Sequence, residues 1–589
     1  MIVAAMALLA TASGSAEVRL PAILSDGVVL QQHRPIELWG WADAGEVVAA
    51  RIGERSGRTQ TDPDGNWRIT LEALPAGGPY ELEVTGGAST VRVADVLVGE
   101  VWLGSGQSNM AKPVSSAADA EREIATAHYP EIRMFTVANA AVPEPGTDVV
   151  GQWRAAVPDH VGTLSAVGYY FSRHLHAELG VPVGFVHSSW GGTPAEAWTR
   201  RSAFVKPVLA PRLARETEIL NSVVDERALF DETLGRFEAG DEVSPAELVG
   251  TWDALITFGQ QEIQLAIEIA MDGEALLATF DSFGGEVTVP VDISGASVSW
   301  MFPGKPDERR IRTAYGSRML SGHMAMSQFE YPVRASQRDS DTQAPRLVGV
   351  PVSRRIGHLF NGMIDPLTRF PIRGVVWYQG EANANPEQAP LYADLFATLI
   401  EDWRLAWGRP LPFYFVQLAN FRERESEPPL ESPWAEVRDA QRRTLALPNT
   451  AMAVAIDIGE ADDIHPKNKQ EVGRRLALAA LARQYERAAE YSGPLYRRAT
   501  FAGAEVEIAF DHATGLATAD GAEVTGFALA GTDRKFVWAN ARIEGERVIV
   551  WSDAVPAPQS VRYGWGDNPA TNLMNQAGLP ASPFRTDRW

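Results

Sequence analysis

The sequence predicts an α/β protein with a doubly wound parallel sheet, flanked and interrupted by β modules. Five apolar runs are too continuous for half-exposed strands, which is typical of strands buried on both faces of a parallel sheet. These runs occupy residues 96–103, 181–188, 372–378, 411–418 and 451–458. Helix-like stretches alternate with the runs, at residues 165–180, 390–407 and 467–483. This alternation indicates a doubly wound domain, whose ligands bind beyond the carboxyl ends of the strands.

Residues 17–95 predict a small β-sandwich ahead of the sheet domain. Short alternating runs such as IELWGWA (36–42) and NWRITL (66–71) are separated by turn signals, including DPDG (62–65). The tail, residues 491–589, alternates at similarly short spacing and predicts a terminal β module.

The α/β domain is predicted to be interrupted. Between residues 245 and 341 the sequence returns to short β runs, as in LAIEIAMDG (265–273) and ASVSWMF (296–302). An inserted β module is the simplest interpretation. It divides the α/β domain into residues 96–244 and 342–490.

Length and composition restrict the class of function. At 589 residues the chain exceeds the roughly 250 to 300 residues at which single cores stop growing, so several domains are expected. A formal charge of −22 repels phosphate backbones and anionic lipid surfaces, which argues against nucleic acid as a partner. The chain has no cysteine, which excludes thiol nucleophiles, cysteine-ligated zinc and disulfides.

The first sixteen residues form an apolar run followed by small residues, with Gly14 and Ala16 three and one before a cleavage point at Glu17. This pattern is typical of a signal peptide and predicts a periplasmic or secreted protein. No later stretch approaches the roughly 18 to 20 apolar residues of a membrane span, so none is predicted. The sequence carries no signal for the oligomeric state.

A serine follows the first buried run, in the segment SGQSNM (105–110). A neighbouring glycine permits a tight turn, and a serine placed there presents its hydroxyl at the carboxyl edge of the sheet. Ser108 is therefore a candidate nucleophile, with an ordinary turn as the alternative interpretation. The segment is not the G-x-S-x-G elbow of the α/β-hydrolases, because Met110 stands where the second glycine would be.

Two further strand ends carry groups that could stabilise an oxyanion. Gly191 and Gly192 follow the second run, and consecutive glycines leave a main-chain N–H unobstructed. Gln379 and Asn383 follow the third run and carry amide donors, while Glu381 between them could order the loop. A strand-to-helix turn and a helix-capping asparagine are the structural alternatives.

A serine nucleophile needs a base, and a histidine follows the fifth run. His465 is a side chain poised to accept the serine proton at neutral pH. A carboxylate must then orient the imidazole, and both Asp462 and Asp463 are within plausible reach along the loop. These three side chains are also candidate metal ligands, but the ten histidines include no pair such as H-E-x-x-H. We therefore expect neither a metal nor another cofactor.

Taken in order, four segments resemble the sequence blocks of the sialate O-acetylesterase family, which belongs to the SGNH superfamily of serine esterases. Further segments near both ends, such as VLVGEVWLGSGQSNM and GFALAGTDRKFVWANARI, also resemble this family. The resemblance covers nearly the whole chain apart from the predicted insertion. The four segments are GQSNM (106–110), GGT (191–193), QGEAN (379–383) and DIHP (463–466).

The resemblance implies a flavodoxin-like SGNH hydrolase domain that acts on O-acetylated sugars through a metal-independent acyl-serine mechanism. Ser108 matches the nucleophile and also an oxyanion donor, and His465 matches the base. Gly192, in preference to Gly191, matches the glycine of the second block.

Two roles stay open between alternatives. The third block departs from the G-x-N-D form of the superfamily, so Gln379 or Asn383 must replace the usual asparagine, and Gln379 is preferred. For the carboxylate that orients the histidine, Asp462 fits the D-x-x-H spacing of the superfamily. Asp463 instead belongs to the D-I-H-P string that is closer to this family.

The insertion resembles the small β-barrel module attached to some serine hydrolases of the penicillin-recognising class, in segments such as DGEALLATFDS and SGHMAMSQFEYPVRASQRD. It would be a non-catalytic accessory.

A penicillin-recognising enzyme is a rival interpretation of the whole protein, but no S-x-x-K motif stands in a matching context. An acetylxylan esterase is a further alternative. The 17 tryptophans and several β modules also suggest a catalytically silent carbohydrate-binding protein.

Overall fold

The computed structural model describes most of the chain as a mixed α/β protein with several β-sheets, as predicted. The predicted signal peptide, residues 1–16, lies outside the described residues, and so does most of the segment that joins the insertion to the second α/β part. The described residues are 17–87, 89–222, 242–258, 261–282, 285–301, 309–316, 319–326, 329–338 and 350–589.

The chain divides into two compact units. Among the described residues, the first unit comprises those up to Ala138 together with Pro145–Ala195 and Met363–Trp589. The second unit comprises the described residues of Asn139–Glu144 and Glu196–Gly362.

The N-terminal part of the first unit is built from β-strands. Buried and exposed residues alternate along the fifth strand, which buries Trp67, Ile69 and Leu71, as expected for a strand with one face on a core. The seventh strand is continuous through residue 95, so the predicted boundary between the sandwich and the α/β domain falls inside one strand. The strands are β1 (Val29–Gln31), β2 (Ile36–Trp41), β3 (Val47–Ile52), β4 (Arg55–Gln60), β5 (Asn66–Leu71), β6 (Gly77–Gly86) and β7 (Ser89–Gly106).

The first half of the α/β part follows β7. Its longest described helix begins where the Ser165 hydroxyl accepts the N–H of Gly168 and ends at Gly180 in the left-handed conformation, close to the predicted limits. The strand after this helix is buried along its whole length. The elements are α1 (Ser108–Ala111), α2 (Ala120–Ala125), β8 (Tyr129–Val137), β9 (Gly151–Ala156), α3 (Pro158–Val161), α4 (Ala166–Leu179) and β10 (Val183–Ser189).

The second unit contains a closed barrel whose strands fall within the predicted insertion. Its core includes the fully buried side chains of Trp252, Trp300 and Ile311. Among the described residues, the helices α5 (Ala210–Ser222) and α6 (Pro245–Leu248) precede the barrel in the sequence. The barrel strands are β11 (Gly250–Phe258), β12 (Gln261–Asp272), β13 (Ala275–Ser282), β14 (Gly285–Ser294), β15 (Ser297–Met301), β16 (Arg309–Gly316), β17 (Met319–Met326) and β18 (Phe329–Gln337).

The second half of the α/β part completes a central sheet in the first unit. Its elements are β19 (Gly374–Tyr378), α7 (Tyr392–Ala406), β20 (Phe413–Gln417), α8 (Pro433–Thr444), β21 (Thr450–Val454) and α9 (Lys469–Gln484). The strand order is β21-β20-β19-β7-β10-β8-β9. All neighbours are parallel except β8 and β9, which are antiparallel. Helix α9 packs against α4, β20 and β21, and α8 packs against the same two strands.

The carboxyl ends of the three middle strands meet at one point. Gly106, the last residue of β7, is in register with Ser189 of β10 on one side and with Tyr378 of β19 on the other. The three polar, glycine-rich segments that follow these strands therefore start next to one another. Ligands of parallel α/β sheets bind at this kind of edge.

The C-terminal part of the first unit is again made of β-strands, packed around a core that includes Val506, Ile508, Val548 and Val550. The strands are β22 (Leu495–Ala502), β23 (Glu505–Asp511), β24 (Ala517–Thr518), β25 (Phe527–Ala530), β26 (Phe536–Trp538), β27 (Asn540–Glu544), β28 (Arg547–Trp551), β29 (Ser560–Tyr563), β30 (Leu573–Met574) and β31 (Phe584–Arg585).

No described helix combines the length and the apolar character that crossing a membrane requires.

Candidate active site

Ser108 and His465 are brought together at the carboxyl edge of the central sheet. The Ser108 hydroxyl lies 2.8 Å from Nε2 of His465, which is hydrogen-bond distance, although the two residues are 357 positions apart in the sequence. Ser108 is the first residue of α1, directly beyond β7. His465 lies in the loop between β21 and α9. A hydroxyl in contact with an imidazole is the arrangement that activates a serine nucleophile.

The turn that carries Ser108 requires glycine at position 106. Gly106 has a φ of +134°, and a Cβ there would lie 2.1 Å from the carbonyl oxygen of Tyr378. The turn is held on both sides, because the Gln107 N–H donates to that carbonyl at 3.0 Å and the Trp190 N–H donates to the Gly106 carbonyl at 3.1 Å. The position of Ser108 is therefore set by the two strands that flank β7.

Asp463, rather than Asp462, contacts the histidine. Oδ1 of Asp463 accepts the main-chain N–H of His465 at 2.8 Å and lies 3.5 Å from Nδ1 of its ring. An aspartate that accepts the N–H two residues ahead closes a local turn, so its spacing directs the carboxylate back to the ring. Asp462 is exposed and makes no hydrogen bond or ion pair to His465. Of the two alternatives that the sequence left open, the geometry therefore favours Asp463.

We expect Asp463→Asn to lower kcat by about 10²- to 10⁴-fold, because an amide cannot stabilise the imidazolium or hold its tautomer. Asp462→Asn is the matched control, and it should leave kcat unchanged because its carboxylate faces solvent. Both variants can be measured by hydrolysis of a chromogenic acetate ester. A larger loss in Asp462→Asn than in Asp463→Asn would contradict the assignment.

The pKa of His465 is shifted so that the ring stays neutral. Partial burial lowers this pKa below the ordinary value of 6.5, and the ammonium groups of Lys112 and Lys469 lower it further. The Asp463 carboxylate acts in the opposite direction but does not cancel these effects. An imidazole that is neutral at pH 7 can accept a proton from the serine.

This shift predicts the acid limb of the pH profile. A base with a lowered pKa keeps its neutral form to lower pH, so kcat/KM should fall only below pH 6.5. Initial rates on a chromogenic acetate from about pH 4 to about pH 9 test this expectation. An acid limb centred above pH 6.5 would show that the ring is stabilised in its charged form instead.

The glycines of the second block lie beside the nucleophile. A Cβ at Gly191 would lie 3.3 Å from Cβ of Ser108, so this position has little room for a side chain. Gly192 is exposed and has a φ of +73°, which favours glycine. Within the described part of the chain, the main-chain N–H groups of Ser108 and Gly192 donate no hydrogen bond. Both are candidate donors to an oxyanion.

The amides of the third block are turned into the protein instead. Gln379 is fully buried, and its two amide hydrogens have acceptors in the Thr193 carbonyl at 3.2 Å and Asn383 Oδ1 at 2.7 Å. Asn383 is also buried, and its Nδ2 donates to Gln388 Oε1 at 3.2 Å. The sequence favoured Gln379 as an oxyanion donor. In the structure, however, the Gln379 and Asn383 amides form hydrogen bonds that connect the second and third loops. Spacing alone could not show that a buried amide is already saturated.

Asn109 and Lys469 were not predicted as site residues. Asn109 is buried beside the nucleophile and donates from Nδ2 to the Ile464 carbonyl at 3.0 Å, while its Oδ1 accepts from Lys469. Asn109 stood inside a block that was recognised, but its side chain was given no role. The position of Lys469 was one available signal. The helix dipole disfavours a lysine at the first position of a helix, so its presence there indicates a stabilising interaction elsewhere.

Comparisons with known proteins agree with one another. A family model described as carbohydrate esterase, sialic acid-specific acetylesterase, matches residues 353–482, which include the third block and His465. Sialate O-acetylesterases from Rattus norvegicus and Homo sapiens are similar over most of their length. The rat protein is 28% identical over 521 residues, covering 82% of this chain and 76% of the relative. The human protein is 26% identical over 520 residues, covering 81% and 73%.

A solved structure is similar over nearly the whole chain. It is a carbohydrate acetylesterase from Xanthomonas citri that is 33% identical and superimposes with a TM-score of 0.71. The match covers 97% of this chain and 100% of that protein.

Proposed function

The chain belongs to the sialate O-acetylesterase family of carbohydrate esterases, as its four sequence blocks predicted, and we propose that it hydrolyses O-acetyl esters of sugars with Ser108 as nucleophile and His465 as base. The observation that carries this proposal is the 2.8 Å contact between the Ser108 hydroxyl and the His465 imidazole. We further propose that the α/β part of the first unit is an SGNH-type, flavodoxin-like domain. The parallel order of its central strands supports this assignment.

The reaction proceeds through an acetyl-serine. His465 takes the proton of Ser108 as Oγ bonds to the acetyl carbon, and the carbonyl oxygen becomes negative. The N–H groups of Ser108 and Gly192 stabilise this oxygen. Collapse breaks the bond to the sugar oxygen, which receives the proton from His465. Water then attacks the acetyl carbon with His465 again as base, the bond to Ser108 Oγ breaks, and His465 returns its proton to Oγ as acetate leaves.

O-acetylated sialic acids are the first candidate substrates. The matching family model and the mammalian relatives both carry sialic acid or sialate in their descriptions. Lys112 adds support, since its partly exposed ammonium lies close enough to His465 to lower the pKa of the ring. Its side chain makes no hydrogen bond or ion pair to any residue that the structure describes. An unpaired cation beside the site suits a sugar that carries a carboxylate.

Acetate release tests the function and ranks the substrates. The purified protein is incubated with O-acetylated sialic acid, with acetylxylan and with a chromogenic acetate, and kcat/KM is measured for each. We expect hydrolysis of all three, with O-acetylated sialic acid preferred to acetylxylan. A preference for acetylxylan would make the protein an acetylxylan esterase. No release from any of them would leave the non-catalytic carbohydrate-binding protein as the better interpretation.

We also propose that the protein is exported, on the basis of its N-terminal apolar run alone. Fractionation of cells that express the full chain, followed by N-terminal sequencing of the product, tests this. A mature protein that begins at Glu17 outside the cytoplasm is the expected result.

A further inference from the structure

A buried lysine lies next to the proposed catalytic pair. Lys469 is the first residue of α9, and its side chain is almost completely buried at 1% exposure. This is an unfavourable place for a cation, because the helix dipole opposes it and burial removes its water. Burial lowers the pKa of Lys469 to about 7. A lysine at this position must therefore make an interaction that compensates for the unfavourable helix dipole and for the loss of hydration.

Lys469 fixes the orientation of one amide. Its Nζ donates to Oδ1 of Asn109 at 2.6 Å and lies 5.4 Å from the centre of the Tyr378 ring. An ammonium group has donors only, so the atom of Asn109 that faces it must be the oxygen. Nδ2 then points the other way, where it donates to the Ile464 carbonyl at 3.0 Å and to Glu381 Oε1 at 2.5 Å. Asn109 is 2% exposed, so water does not replace these partners.

The hydrogen bond of the Asn109 amide connects the residue next to the nucleophile with the residue next to the base. Asn109 directly follows Ser108, and Ile464 directly precedes His465. The hydrogen bond from Asn109 to Ile464 thus ties the nucleophile turn to the loop of the base. A misplacement of about 1 Å between such groups can cost about 10²-fold in rate.

We propose that Lys469 is a positioning residue for ester hydrolysis, which orients the Asn109 amide so that the Ile464 carbonyl, and with it the His465 imidazole, stays in place against the Ser108 hydroxyl. This inference rests on the proposed function.

Lys469 also acts on His465 through its charge. Lys112 and Lys469 both lower the pKa of His465, and Asp463 raises it. The charged groups that act on Lys469 itself are three carboxylates that stabilise its ammonium and one lysine that opposes it, namely Glu381, Asp463, Glu460 and Lys112. Removal of the Lys469 charge should therefore raise the pKa of His465. This effect on the base separates a positioning role from a purely structural one.

The test measures kcat, KM and the acid limb of kcat/KM for Lys469→Met and Lys469→Gln with a chromogenic acetate. Methionine keeps the length but not the donor, so kcat should fall on the order of 100-fold with KM changed by less than about twofold. Glutamine keeps a donor without the charge, so it should retain more kcat than methionine. In both variants the acid limb should move to higher pH. Lys467→Met is the matched control, since Lys467 is an exposed lysine two positions away, and it should resemble wild type.

A double mutant tests the route through Asn109. If Lys469 acts by orienting this amide, Asn109→Ala with Lys469→Met should lose no more kcat than Asn109→Ala alone. Losses that multiply would overturn the proposal, as would a Lys469→Met enzyme with wild-type kcat. If methionine prevents folding, as judged by circular dichroism, Lys469→Gln decides, because wild-type kcat and an unmoved acid limb in that variant also overturn it. These failures differ from failure of the proposed function, in which the wild-type protein itself would release no acetate.

Discussion

Ser108→Ala is expected to lower kcat for acetyl ester hydrolysis by about 10⁴- to 10⁶-fold while the protein stays folded. Alanine removes only the oxygen that would form the acetyl-enzyme, and among the described residues the only side chain that hydrogen-bonds to the hydroxyl is His465. The turn itself depends on Gly106 and on main-chain hydrogen bonds, which the substitution leaves intact. Active-site titration with a slowly deacylating ester should show no burst in this variant.

Ser105→Ala is the matched control for this prediction. Ser105 lies three residues earlier on β7, fully buried, and its hydroxyl has no hydrogen-bond partner among the described residues. Loss of an unsatisfied buried hydroxyl leaves no partner exposed, so stability and kcat should stay close to wild type. If Ser108→Ala kept near-normal turnover, Ser108 would not be the nucleophile.

The central strands could be predicted because burial on both faces leaves a continuous apolar run. β10 and β19 are buried throughout and coincide with predicted runs. β8 was not predicted, because it carries polar residues such as Arg133, which is buried and pairs with Asp95 at 2.9 Å. The run at residues 451–458 forms a strand only as far as Val454. Strand order had no sequence signal, since it depends on which strands pair after the chain folds.

The site residues that could be predicted are those whose chemical role calls for a particular residue type. A nucleophile and a base were identified as Ser108 and His465, and the structure brings these two side chains together. The sequence could not decide between Asp462 and Asp463. The spacing to His465 shows that either carboxylate could reach the ring, but it does not show which one faces it. Lys469 contacts Asn109 from 360 positions away. Such a contact exists only in the folded chain, so the sequence alone could not assign the role of either residue, although the position of Lys469 at the start of a helix was unusual.

Replacement of His465 by alanine should lower kcat about as much as loss of the nucleophile, by about 10⁴- to 10⁶-fold, because a serine hydroxyl without a base has almost no alkoxide at neutral pH. The residual rate should also change its pH dependence. Without the imidazole, the acid limb set by His465 should vanish, and the remaining activity should rise with hydroxide concentration.

His512→Ala separates this effect from the general cost of deleting a histidine. His512 is also partly buried and also faces a carboxylate, with Nδ1 2.8 Å from Glu490 Oε1, but it lies in the C-terminal β module. Its loss should cost a little stability and leave both kcat and the acid limb unchanged. If His465→Ala kept the wild-type acid limb, a different group would have to accept the serine proton. The 2.8 Å contact at the sheet edge would then be a structural hydrogen bond rather than a catalytic one.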